Sequence, residues 1–118
     1  MRRLLIVFAL TLPLCGALTL PLWGATAATQ KARKPVTHTV TIDATSFQPA
    51  SLTIAAGDVV LWVNKDIIPH TATSSKAGVF DSGTLAPGKS WKHTFKTGGE
   101  IPYLCQFHLT MKGTVRVK

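Results

Sequence analysis

A chain of 118 residues has room for one small folded domain, and its 13 Lys and Arg against 5 Asp and Glu give a net charge of +8 with His neutral. No interleaving of basic and aromatic residues is extensive enough to argue for nucleic acid, which leaves an acidic partner or a generally basic surface as the meaning of the charge. Two cysteines, one of them inside an apolar N-terminal stretch, offer no disulfide framework.

Residues 1–28 read as an export signal. Arg2 and Arg3 form a short basic start, Leu4 to Trp23 is almost wholly apolar, and Ala25-Thr26-Ala27-Ala28 supplies small residues for cleavage after Ala27 or Ala28. The apolar stretch, about 20 residues, is also long enough to span a bilayer, so an uncleaved anchor is the alternative. Pro13, Gly16 and Pro21 within it favour cleavage. Cys15 follows Leu14 where lipid attachment needs a small residue, and the paired arginines carry little weight for a folded-protein export route. Cleavage after Ala28 leaves 90 residues with 11 basic and 5 acidic side chains, a net charge of +6. It also leaves Cys105 as the single cysteine, a lone thiol for an oxidising compartment where a bound metal would protect it. Residues 29–35, with Lys31, Arg33 and Lys34 before Pro35, read as a flexible basic leader, and 36–118 as the folded domain.

From Val36 the pattern is short alternating segments divided by turn residues, the pattern of an all-β sandwich. Val36, His38, Val40 and Ile42 alternate with threonines in a first strand, and Leu52 and Ile54 begin a second. Gly57-Asp58 turns into the apolar run Val59 to Asn64, which belongs in the middle of a sheet. Residues 74–89 carry Gly78, Gly83, Pro87 and Gly88 and read mostly as loop. Trp91, His93 and Phe95 then alternate with Lys92, Thr94 and Lys96 in an edge strand with a basic outer face. Gly98-Gly99 leads into Ile101 to Cys105, and Gly113 opens a last strand to Val117. His38 and His93 share strand faces with apolar neighbours and read as strand residues rather than ligands.

Between the last two strands lies Cys105-Gln-Phe-His108-Leu-Thr-Met111, a thiolate, an imidazole and a thioether at three-residue intervals. A lone Cys, His or Met in such places is ordinarily a buried hydrophobe, a loop polar residue or core filler. Together they form a donor set for copper, since two His, one Cys and a weak axial Met define a blue-copper site. His70, fixed behind Ile67-Ile68-Pro69, is the best candidate for the second imidazole. Met111 disfavours structural zinc, which draws on Cys, His, Asp and Glu. No Asp or Asn near His108 in sequence stands out to orient a Cys/His nucleophile.

Phe80-Asp81-Ser82-Gly83, Pro87-Gly88, Phe95, Gly99, Tyr103-Leu104-Cys105, His108, Met111-Lys112-Gly113 and Pro69-His70 together resemble the small cupredoxins, plastocyanin-like and most closely amicyanin-like. The resemblance runs from about Val36 to Lys118 and implies a Greek-key β-sandwich. It implies His70, Cys105 and His108 as trigonal ligands of one type 1 copper, with Met111 axial. The implied function is one-electron transfer between redox partners in the periplasm by a monomer that is not an enzyme. A periplasmic copper carrier or buffer would use the same ligands. A copper oxidase or nitrite-reductase-like enzyme would need His residues flanking the cysteine, where Leu104 and Gln106 stand. In the family the second His is the electron port, in an apolar patch that here would be Pro69, Phe107, Leu109 and Pro102, rimmed by Lys65 and Lys112. Such a rim suits a partner with an acidic docking surface.

Two positions depart from the family pattern. Thr71 stands where an Asn usually ties the two ligand loops together, and its hydroxyl is expected to do the same over a shorter reach. Gln106, Phe107 and Leu109 replace prolines around the second His. Phe107 therefore has an N–H, which, aimed at the Cys105 sulfur, would favour the reduced site and raise the reduction potential relative to a proline-bearing relative.

Overall fold

The computed structural model describes residues 33–118 and, upstream of them, Gly16 alone. The expected export signal or anchor over 1–28 and most of the basic leader lie outside the described residues. Among the described residues no helix is long and apolar enough to cross a membrane.

Eight strands follow in chain order: β1 (Thr37–Asp43), β2 (Ser46–Gln48), β3 (Ser51–Ile54), β4 (Val59–Asn64), β5 (Thr73–Ser74), β6 (Ser90–Thr94), β7 (Gly99–Leu104) and β8 (Lys112–Val117). They form two four-stranded sheets, ordered β2-β1-β4-β6 and β3-β8-β7-β5. The chain crosses between the sheets after β2, β3, β4, β5 and β6, which makes the all-β sandwich that the alternating segments imply, with the Greek-key connectivity that the family resemblance implies. Two pairings are parallel, β1 with β4 and β3 with β8. They join strands that are not sequence neighbours, so no turn residue announces them.

The core lies between the inward faces. Val40 and Ile42 of β1, Val60 and Trp62 of β4, and Val115 and Val117 of β8 are buried. Trp62 is central, with its ring centroid 5.2 Å from Phe80, 5.7 Å from Trp91 and 5.5 Å from Tyr103. β4 does lie inside its sheet, between β1 and β6, but its burial alternates: Val60, Trp62 and Asn64 face the core while Val59, Leu61 and Val63 are half-buried on the outer face. Its unbroken apolar run thus marks an inner strand with one covered face, not two.

The connection between β1 and β2 is a two-residue turn at Ala44 and Thr45, with φ of 48° and 58°. Such turns favour Asn-Gly because both residues take left-handed backbone, and neither Ala nor β-branched Thr signals it. At the other end of the chain, Gly113 is required by packing. A Cβ there would fall 2.4 Å from the Tyr103 ring, so the aromatic side chain of β7 lies directly over the start of β8. This close approach fixes both strands that carry the Cys105 loop.

Candidate metal centre

Four of the residues that the sequence singles out sit at one end of the sandwich. Cys105 leaves β7 and Met111 enters β8, and the loop between them is closed by two backbone bonds, Cys105 N–H to Met111 O at 3.0 Å and Met111 N–H to His108 O at 2.8 Å. His70 comes from the segment after β4 and is pinned by a two-way bridge to Leu85, at 3.1 and 2.7 Å. Proline at position 69 removes one N–H just before that bridge and restricts the approach.

The donor atoms converge. Cys105 Sγ lies 3.7 Å from His70 Nδ1 and 3.8 Å from His108 Nδ1, and one donor atom from each of the three residues falls within 4.8 Å of the others. Two donors held by one first-row metal at ordinary bond lengths of about 2.0–2.3 Å would be separated by such a distance. His70 and Cys105 are fully buried, Met111 is buried at the loop's end, and His108 is half-buried. A soft thiolate with two imidazoles in a dry pocket is a donor set that fits copper, with the Met111 thioether close in the chain as a further soft group.

Second contacts orient these groups. His70 Nε2 is 2.9 Å from Asp66 Oδ2. A carboxylate only accepts, so Nε2 carries the proton and Nδ1 turns its lone pair toward Cys105. Asp66 Oδ2 also accepts the Thr45 N–H at 3.0 Å, and Oδ1 the Ile67 N–H at 2.7 Å. The His70 bond, then these two N–H groups, hold the Asp66 carboxyl below its ordinary range. The left-handed turn between β1 and β2 therefore supplies a donor to the group that orients His70. Neither Asp66 nor this turn is evident as part of the site in the sequence. The one available signal is an acid four residues before a proline-fixed His.

At Cys105 burial pushes the thiol up, and this is outweighed chiefly by the Thr71 N–H at 3.4 Å, with the Phe107 N–H adding to it, leaving it at about 6. Thr71 ties the loops together twice, by its own N–H to Sγ and by its hydroxyl, which accepts the Gln106 N–H at 2.9 Å.

Phe107 and Leu109, the chain neighbours of half-buried His108, are 53% and 66% exposed, and on the segment that carries His70 Ile67 is 89% exposed with Ile68 and Pro69 also open. Packing beneath the loop does not account for Phe107 or Leu109. Ile67 and Ile68 are thus further exposed apolar residues just before His70 in the chain. Lys65 and Lys112 are exposed as well.

His38 and His93 lie in β1 and β6 as expected. His38 is nonetheless engaged, its Nε2 2.9 Å from Asp58 Oδ2 at the opposite end of β4.

The cupredoxin-like domain family matches residues 14–117. The chain is 34% identical to a plastocyanin of Scenedesmus fuscus over 84 residues, 61% of this chain and 86% of that one. It is 31% identical to amicyanin-alpha of Methylorubrum extorquens over 117 residues, 96% and 98% of the two chains. Among solved structures, a purple cupredoxin from Nitrosopumilus maritimus superposes with a TM-score of 0.64 at 29% identity, covering 68% of this chain and 98% of that one. With the fold, the converging donors and these likenesses together, the chain belongs to the cupredoxin-like domain family.

Proposed function

We propose that this chain is a type 1 copper electron-transfer protein that shuttles one electron between partners in the periplasm, in which His70, Cys105, His108 and Met111 would hold the metal. The convergence of Cys105 Sγ with two imidazole Nδ1 atoms at 3.7 and 3.8 Å carries this reading. Copper held there would supply the one-electron couple. The protein's part is to hold three donors on one seven-residue loop between β7 and β8 and the fourth on a bridged segment, so that little moves when charge changes. Burial of His70 and Cys105 keeps water from the pocket.

Half-buried His108 is the point of closest access from solvent, and the exposed Ile67, Ile68, Pro69, Phe107 and Leu109 give a partner an apolar surface to dock on. Lys65 and Lys112, with a net charge of +6 on a chain lacking residues 1–28, favour a partner that carries an acidic face. The export signal over 1–28, a leader to residue 35 and a monomeric domain over 36–118 complete this reading. Leu104 and Gln106 beside the cysteine leave no His to bridge a second metal, which supports a carrier of electrons rather than an enzyme.

The test is the visible and EPR spectrum of protein lacking residues 1–28 and loaded with Cu(II). An intense thiolate-to-copper band with narrow copper hyperfine splitting, lost in Cys105→Ser, is expected. A pale tetragonal spectrum would overturn the electron-transfer reading in favour of copper carriage or buffering.

A further inference from the structure

Thr71 is buried, directly follows the ligand His70 and accepts the Gln106 N–H, and its own hydroxyl proton must go somewhere. Its Oγ1 lies 3.0 Å from Thr73 Oγ1, a bond that either hydroxyl could donate. The next link decides the direction. Thr73 Oγ1 is 3.1 Å from Asp81 Oδ1, and a carboxylate only accepts, so Thr73 spends its single proton there. Thr71 must then donate to Thr73, which leaves the Thr71 lone pairs for the Gln106 N–H. The four groups thus form a head-to-tail chain from Gln106 through Thr71 and Thr73 to the charge on Asp81, in which each hydroxyl accepts from one neighbour and donates to the next.

We infer that Thr73 and Asp81 are positioning residues for the metal loop, acting through Thr71 on the backbone of Gln106, the residue after the ligand Cys105. Ending a hydroxyl chain on a charge strengthens each bond in it, because each donor is polarised by the acceptor beyond it. Asp81 is itself well placed to serve as the fixed end. Its Oδ1 also accepts the Gly83 N–H at 2.9 Å, and its backbone is bridged to that of Thr73. The adjoining residues close the same seam, with the Ala72 N–H on Ser82 Oγ at 2.8 Å and the Ser82 N–H on Ala72 O at 3.0 Å. One carboxylate on the exposed surface thereby fixes the spacing between the loop that carries His70 and the loop that carries Cys105. The copper part of this inference rests on the function proposed above; the hydrogen-bond chain does not.

The test compares Thr73→Val, which keeps the branched shape and removes the hydroxyl, with Thr73→Ser, which restores it, and with Asp81→Asn, which keeps an acceptor and removes the charge. In metal-free protein the Gln106 amide should exchange with solvent about tenfold faster in Thr73→Val than in wild type, return toward the wild-type rate in Thr73→Ser and lie between them in Asp81→Asn. The Val115 amide in the core serves as the control for global opening. In copper-loaded protein Thr73→Val should shift the reduction potential and slow electron self-exchange, and Thr73→Ser should reverse both. An unchanged Gln106 rate in Thr73→Val overturns the chain, and a changed rate with an unaltered potential and self-exchange overturns its role in positioning. Wild-type protein without a blue band would count against the copper reading while leaving the exchange result to stand.

Discussion

β4, about 20 Å long for its six residues, has a cluster of polar groups at its start and another beyond its end. At its start, Asp58 is surrounded by donors. Oδ1 accepts from Arg33 and the Val36 N–H, and Oδ2 from His38 Nε2 and the Ala55 N–H. Every lone pair of that carboxylate meets a proton. Beyond the other end, Cys105 Sγ faces His70 Nδ1 and His108 Nδ1 at 3.7 and 3.8 Å. With Nε2 protonated against Asp66, His70 has no proton to offer the sulfur. The first cluster is complete in itself and serves stability. The second is complete only with a cation between the donors, and this difference in what faces what marks it as a site.

The largest effect that would test the contrast is at Asp58. Asn there turns an N–H₂ toward two of the four donors, so Asp58→Asn should lower the melting temperature more than substitution at any exposed acid, yet leave the copper spectrum as in wild type. A changed spectrum would mean that the two ends are coupled. The same contrast appears with pH. The Val36 N–H, His38, the Ala55 N–H and Arg33, in that order, overcome burial to hold the Asp58 carboxyl well below its ordinary range. Its contribution is therefore fully present above the unfolded value near 4 and is lost as pH falls below that. The depressed Cys105 thiol, at about 6, has the same sign in another window: metal-free protein should gain stability as pH rises from about 6 toward the ordinary thiol range. Chemical denaturation of metal-free protein across pH would resolve both limbs, and a Cys105→Ser variant should lose only the upper one.

A smaller effect is expected at Asp66, which belongs to the metal end but is satisfied in the manner of Asp58. Asp66→Asn should weaken Cu(II) binding by about 10–100-fold, the usual result of removing a carboxylate behind a ligating His, and raise the reduction potential because Cu(II) loses more than Cu(I). Competition titration and voltammetry would measure the two. An unchanged potential would mean that the carboxylate only orients the ring. Phe107→Pro should have the smallest effect, a fall in potential with the blue band retained, because it removes one N–H that lowers the Cys105 thiol and leaves the donors in place. A potential that does not fall would assign the stabilisation of the thiolate to Thr71 alone.

What the sequence makes legible here is what lies close along the chain. Cys105, His108 and Met111 share one loop, the strand alternation of β1, β4 and β6 is local, and the glycines of the loop between β5 and β6 are local too. What it hides is what tertiary structure brings together. Asp58 joins residues 20 and more positions away in the chain, Thr45 reaches Asp66, and Thr73 reaches Asp81. The short β2 strand is hidden for another reason, since the Ala44-Thr45 turn before it adopts backbone that its residue types do not announce. Thr71 is an intermediate case. Its substitution for Asn was visible, and so was the reach of its hydroxyl, but the onward links were not.

Trp62 adds an optical consequence. It is fully buried among Phe80, Trp91 and Tyr103. An excited indole buried among aromatic rings has little freedom to relax, so Trp62 should fluoresce at the short-wavelength end of the tryptophan range. Half-buried Trp91 should emit further to the red. The core thus carries its own dye, whose colour changes when the two sheets part.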